Sequence, residues 1–127
     1  MKRIAFFGGR DYPDEDRVVY ACFAILDRHG PFVLIHGGCH CREDEPDIGA
    51  DYFAHRWALH QIGKGSRLRE EIHWAKWRTL RKAAGPLRNR EMVRSGLDGA
   101  VQFPGGRGTG DMRNALDAAG VPVWVQC

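Results

Sequence analysis

Three short apolar runs in this chain each end in paired glycines, and that recurrence limits the possible fold more than any other feature. Ile4-Ala5-Phe6-Phe7 runs into Gly8-Gly9-Arg10-Asp11, and Phe32-Val33-Leu34-Ile35 runs into His36-Gly37-Gly38. Ala100-Val101-Gln102-Phe103 runs into Pro104-Gly105-Gly106-Arg107-Gly108-Thr109. Unbroken rather than alternating hydrophobicity predicts strands covered on both faces, as in a parallel sheet. The segments between them have helical spacing. Val18, Val19, Cys22, Phe23 and Leu26 share a face after the acidic start Pro13-Asp14-Glu15-Asp16, and His29-Gly30-Pro31 stops that helix. Gly49-Ala50-Asp51 opens a second helix reaching about Ile62, with Phe53, Ala54, Trp57 and Ala58 inward. Pro86 suits the first turn of a third, which carries Leu87, Arg88, Asn89, Met92 and Val93 and ends at Gly96. Met112, Ala115, Leu116 and Ala119 mark a fourth that ends at Gly120, before a last strand over Val121–Val125.

The stretch from Arg67 to Ala84 is the least regular. A strand over Leu68–Ile72 followed by an irregular or helical excursion through Trp74, Trp77 and Leu80 is expected, with a break at Ala83-Ala84-Gly85. Alternating strands and helices imply a single α/β domain of three layers, with about five mostly parallel strands joined by right-handed crossovers. The 127 residues suffice for one core and not for two. A 43% hydrophobic, 28% charged composition is that of a soluble globular protein, and a net charge of +3 admits an acidic small ligand without demanding nucleic acid. No apolar run approaches the length of a membrane span and Met1-Lys2-Arg3 leads into no secretory pattern, so a cytoplasmic protein is expected. Cys22, Cys39, Cys41 and Cys127 lack the spacing of a disulfide framework and are read as reduced thiols.

In a parallel sheet, ligands sit beyond the carboxyl ends of the strands, near the point where strand order reverses. The three glycine turns all follow strands and are expected to gather on that edge. Glycines let the backbone approach a ligand closely and aim several N–H groups into one concavity, where a helix N-terminus favours an anion. Thr109 either caps its helix or offers a hydroxyl to a phosphate, and Arg107 brings a fork matched to two phosphate oxygens.

The ordered set Gly8-Gly9-Arg10-Asp11, His36-Gly37-Gly38, Gly49-Ala50-Asp51, Ala84-Gly85-Pro86-Leu87-Arg88-Asn89 and Phe103-Pro104-Gly105-Gly106-Arg107-Gly108-Thr109 resembles the YpsA-related branch of the SLOG superfamily. The resemblance spans nearly the whole chain. It implies a Rossmann-like fold that binds a nucleotide or nucleotide-derived ligand, of the nucleoside monophosphate, NAD or ADP-ribose type, in phage and bacterial conflict systems. It also implies a homodimer, since relatives often form one. The LOG-type phosphoribohydrolases, which cleave a nucleobase from a ribose monophosphate, carry P-G-G-x-G-T-x-x-E. This chain is similar at Pro104, Gly105, Gly106, Gly108 and Thr109, but Met112 stands where their glutamate does, with Asp111 one position earlier. Their M-H-x-R-K motif matches at Arg88, while Asn89 replaces the lysine.

On this basis Arg10, Arg88, Arg107, the Gly105-Gly106 amides and Thr109 are expected to hold phosphate, with Gly8, Gly9, Gly37, Gly38, Asn89, Pro104 and Gly108 lining the site. Asp11, Asp51 and Asp111 are expected to meet ribose hydroxyls or water. Ligand binding is the first reading. Phosphoribohydrolase activity carried by Arg88 and Asp111 is the alternative, because a carboxylate near the ribose would stabilise an oxocarbenium-like state.

Two further groups compete. His36, Cys39, His40 and Cys41 have ligand chemistry, but Cys39-x-Cys41 is tighter than usual zinc spacing and no distant pair is evident, so no metal and no cofactor are assigned. Residues Cys39 to Ile48 look like an inserted surface loop. Between Lys64 and Arg94 lie ten basic residues and three glutamates, interleaved with Trp74 and Trp77. That composition could make a single-strand nucleic-acid surface, but a solvated basic face with the tryptophans in the core is favoured.

Overall fold

The computed structural model describes all residues from Met1 to Cys127. A five-stranded, wholly parallel sheet runs in the order β3-β2-β1-β4-β5. Its strands are β1 (Arg3–Phe7), β2 (Val33–His36), β3 (Arg69–Ile72), β4 (Gly99–Gln102) and β5 (Val123–Val125). The helices are α1 (Glu15–His29), α2 (Ala50–Gly63), α3 (Trp77–Leu80), α4 (Ala84–Arg94) and α5 (Arg107–Ala118), with a 3₁₀ turn at Arg81–Ala83. No helix is long and apolar enough to cross a membrane.

The three layers follow from the pleat of β1, because successive side chains point to opposite faces. Ile4 and Phe6 enter a cluster with Val18, Ala21 and Cys22 of α1 and Phe53, Ala54 and Trp57 of α2. Ala5 and Phe7 enter the other, with Met92 of α4 and Met112 and Leu116 of α5. The continuous apolar run of β1 thus feeds both cores. Phe6 stacks between Phe32 and Phe103 at centroid distances of 6.2 and 6.3 Å, and burial of such a ring contributes about 1.5–3 kcal/mol.

Local signals place the helix ends. Asp14 caps α1 by accepting from the Arg17 amide at 3.1 Å, with Glu15 and Asp16 in its first turn, and the Gly30 amide closes it on the Leu26 carbonyl at 2.8 Å. Three expectations are corrected. Ala84 and Gly85 do not break the chain but begin α4 directly after the 3₁₀ turn. Both are buried, and Trp77 lies over Gly85, where a Cβ would come within 3.3 Å of the indole. α5 begins at Arg107, so its N-cap is Gly106 and Thr109 is its third residue rather than its cap. Trp74 and Trp77 are not in the core, being 40% and 52% exposed: Trp74 lies in the loop after β3, and the four-residue α3 that carries Trp77 buries none of its side chains.

Candidate functional site

β1 and β4 lie side by side at the centre of the sheet. The chain leaves β1 through α1 on one face and leaves β4 through α5 on the other. Strand order reverses here, and the first and third glycine turns meet beyond these two strand ends. The Gly9 amide donates to the Pro104 carbonyl at 2.8 Å. A Cβ on Gly8 would lie 2.8 Å from the Cβ of Phe103 and 2.9 Å from that of Ala50. One on Gly105 would lie 2.7 Å from the Gly9 nitrogen and run into the Thr109 hydroxyl. Neither position has room for a side chain. The β1 turn also fixes the start of α2: the Gly9 carbonyl accepts from Ala50 at 3.1 Å and the Tyr12 carbonyl from Gly49 at 3.2 Å. Gly49 sits at φ 112°, and a Cβ there would press to 2.6 Å on the Arg10 carbonyl.

The second turn joins the same rim through Arg88. Its Nη1 donates to the Gly37 carbonyl at 2.7 Å and the His73 carbonyl at 3.3 Å, and its Nε donates to Asn89 Oδ1 at 3.1 Å. Gly37 and Gly38 are buried, the first beneath this guanidinium and the second beneath the Trp74 ring. Burial and the Asp51 carboxylate push the Cys39 thiol's pKa up, against the opposing effect of Arg10 and Arg88.

At the start of α5 the backbone is uncapped. The amides of Gly105, Gly106, Arg107, Gly108 and Thr109 meet no acceptor within the protein, and the first bond of the helix runs from the Gly110 amide to the Gly106 carbonyl at 3.0 Å. Arg10 and Arg107 are exposed, and neither guanidinium forms an ion pair. Asp11 is likewise exposed. The unpartnered amides and the two arginines supply donors and positive charge of the kind that suits an anion, with the Asp11 carboxylate beside them.

The remaining expected site residues are engaged within the protein. Asp51, buried at the start of α2, accepts from the Cys39 amide at 3.1 Å and so ties the 39–48 loop to that helix. Asn89 is buried and donates to the Gly108 carbonyl at 3.3 Å and to Asp111 at 3.0 Å. Asp111 also takes both Arg90 nitrogens, at 2.9 and 3.2 Å. The Arg90 guanidinium holds its carboxyl below the usual range against the opposing effect of burial, and Asn89 adds to the lowering. Adjacent helical residues are about 100° apart around the axis, so Asp111 faces α4 while Met112 is sealed in the core against Met92. A cavity of about 260 Å³ between α4 and α5, lined by Arg90, Val93 and Ala115, includes no residue of the glycine turns.

Two groupings escaped sequence reasoning because their members lie on different elements. Arg3 reaches Glu71 with two bonds of 3.0 and 2.8 Å, and Glu71 also meets His73 at 2.6 Å. His36 and His55 share the Glu70 carboxylate, each at 2.6 Å. One potential ligand atom from each of His36, Cys41 and His55 lies within 4.8 Å of the others. From the sequence no metal is assigned to His36, Cys39, His40 and Cys41, because Cys39-x-Cys41 is tight and no distant second pair is evident. The fold brings His55 of α2 beside His36 and Cys41, while the His40 ring meets the Ile48 carbonyl at 2.9 Å.

Fold and rim together define a single-domain, Rossmann-like α/β protein with its glycine turns at the carboxyl edge of the sheet. No family model matches the chain. It is 39% identical over 127 aligned residues to the Gene 61 protein of Mycobacterium phage D29, covering 97% of this chain and 94% of that protein, and it belongs to the family of that phage protein.

Proposed function

We propose that this protein binds a nucleotide-type anion at the rim, with a phosphate on the start of α5 and the ribose and base extending across the β1 turn toward Gly37-Gly38. The five consecutive amides of residues 105–109 that lack a protein acceptor carry this reading. Donors at a helix start are satisfied by water or by a ligand, and beside two unpaired arginines an oxyanion is the favoured occupant. The resemblance to the YpsA-related SLOG branch points to the same ligand class.

Binding is favoured over hydrolysis. The carboxylate next in sequence to the position of the phosphoribohydrolase glutamate is that of Asp111, and it is clamped by Arg90 and Asn89. A role as a ligand sensor in phage–host conflict follows from the same resemblance.

Calorimetric titration with AMP, NAD and ADP-ribose tests the reading. At least one is expected to bind, and Arg107→Ala and Arg10→Ala are each expected to weaken it by about tenfold or more, since a hydrogen bond to a charged group contributes about 1.5–3 kcal/mol. No heat from any of the three with a folded protein would refute it. Chromatography of AMP incubated with the protein is expected to show no free adenine, and stoichiometric release beyond background would establish the hydrolase instead.

A further inference from the structure

A second cluster lies behind the Gly37-Gly38 turn and plays no part in the anion reading. His36 ends β2 and is fully buried, His55 projects from α2, and Cys41 is returned toward them by a tight turn. In that turn the Cys41 amide donates to the Gly38 carbonyl at 3.1 Å, with His40 in the left-handed region at φ 61°. Glu70 of β3 completes the group, with one oxygen shared between the two imidazoles.

We propose that His36, Cys41 and His55 bind a zinc-class divalent ion, with Glu70, whose oxygen lies against both imidazoles, as the fourth ligand. Two imidazoles and a thiolate are a donor set that zinc accepts, with bonds of about 2.0–2.1 Å to nitrogen and about 2.3 Å to sulfur. Tetrahedral bonds of that length place ligand atoms roughly 3.3–3.8 Å apart. Three atoms already within 4.8 Å therefore need shifts of about an ångström, within reach of a loop cysteine and a helix-borne histidine.

The surroundings favour a cation. The Glu70 carboxylate already lies 2.6 Å from each of the two imidazoles, so a negative charge sits inside the cluster. A divalent ion bound there holds the Cys41 sulfur as thiolate, releasing its proton to solvent. The site would tether the 39–48 loop to β2 and α2, giving that loop a structural anchor.

The protons at His36 give the proposal a signature. Its Nδ1 accepts from the Gly38 amide at 3.0 Å, so Nε2 carries the hydrogen that faces Glu70. A metal on Nε2 moves that proton to Nδ1, which then can no longer accept from Gly38. Loading must therefore disturb the Gly38 amide, at the edge of the anion rim.

The test uses the full chain, stripped with a chelator and titrated with Co²⁺ in place of Zn²⁺. One equivalent is expected, with a thiolate-to-cobalt charge-transfer band, and the Gly38 amide resonance is expected to shift on Zn²⁺ addition. Cys41→Ser should abolish the band and weaken binding by more than the roughly 10–100-fold that loss of an outer partner costs. Cys39→Ser should leave the band intact, and His55→Ala should weaken binding with the helical circular dichroism unchanged. Absence of stoichiometric binding to the wild type, or a band lost with Cys39→Ser but kept with Cys41→Ser, would overturn the proposal.

Discussion

At the residue scale, several glycines are fixed by what lies opposite them. Gly37 has the Arg88 guanidinium directly against it, and a methyl group there would force that side chain off two carbonyls. Gly37→Ala is expected to cost about 1–3 kcal/mol in denaturant unfolding, as overpacking does, whereas Gly106→Ala, where a Cβ meets nothing, should cost far less. Asp111→Ala removes a bridge to an arginine whose side chain is 43% exposed, together with one hydrogen bond from buried Asn89, and is expected to lower stability in denaturant unfolding only slightly. If Asp111 only holds α4 against α5, the variant keeps its affinity for AMP. The glycines were legible because close backbone approach leaves few other choices. The role of Asp111 was not, since the sequence showed a carboxylate beside a vacant motif position but not Arg90 facing it from the neighbouring helix.

At the element scale, the strands and four of the helices could be read from apolar runs and helical spacing, because buried parallel strands and amphipathic helices leave periodic marks. Ala83-Ala84-Gly85 was misread as a break because glycine usually interrupts helices, while here it makes room for Trp77. Trp74 was read as core, yet it covers Gly38 from outside with Arg42 stacked on it at 4.2 Å. The side-chain link from Arg3 of β1 to Glu71 of β3, across β2, was also hidden. Hydrogen bonds from Arg3, reinforced by His73 against the opposing effect of burial, hold the Glu71 pKa at about 2 instead of its ordinary 4.5. That stabilisation is fully present above about pH 4.5 and is lost as pH falls through about 2. With Glu71 a third exposed it amounts to no more than about 1 kcal/mol. Acid unfolding of Glu71→Gln should accordingly begin from a lower plateau and show a shallower loss over that range, and an unchanged profile would remove Glu71 from the account.

At the scale of the whole molecule, function depends on where the parallel sheet ends. The order β3-β2-β1-β4-β5 brings turns nearly a hundred residues apart onto one edge, with Gly9 bonded to Pro104 and Arg88 to Gly37. The sequence indicated that edge, since every glycine pair follows a strand. It could not indicate the side chains that meet behind it, such as His36, His55 and Glu70, because their contacts depend on helix rotation and strand register rather than on spacing along the chain. The most direct test of the central claim follows the backbone amide resonances of the labelled protein during titration with AMP. The account predicts the largest shifts at Gly105 through Thr109, with Gly9 moving alongside and the groove between α4 and α5 unaffected. Shifts confined to that groove or to the surface around Trp77, or no shifts at millimolar AMP, would contradict it.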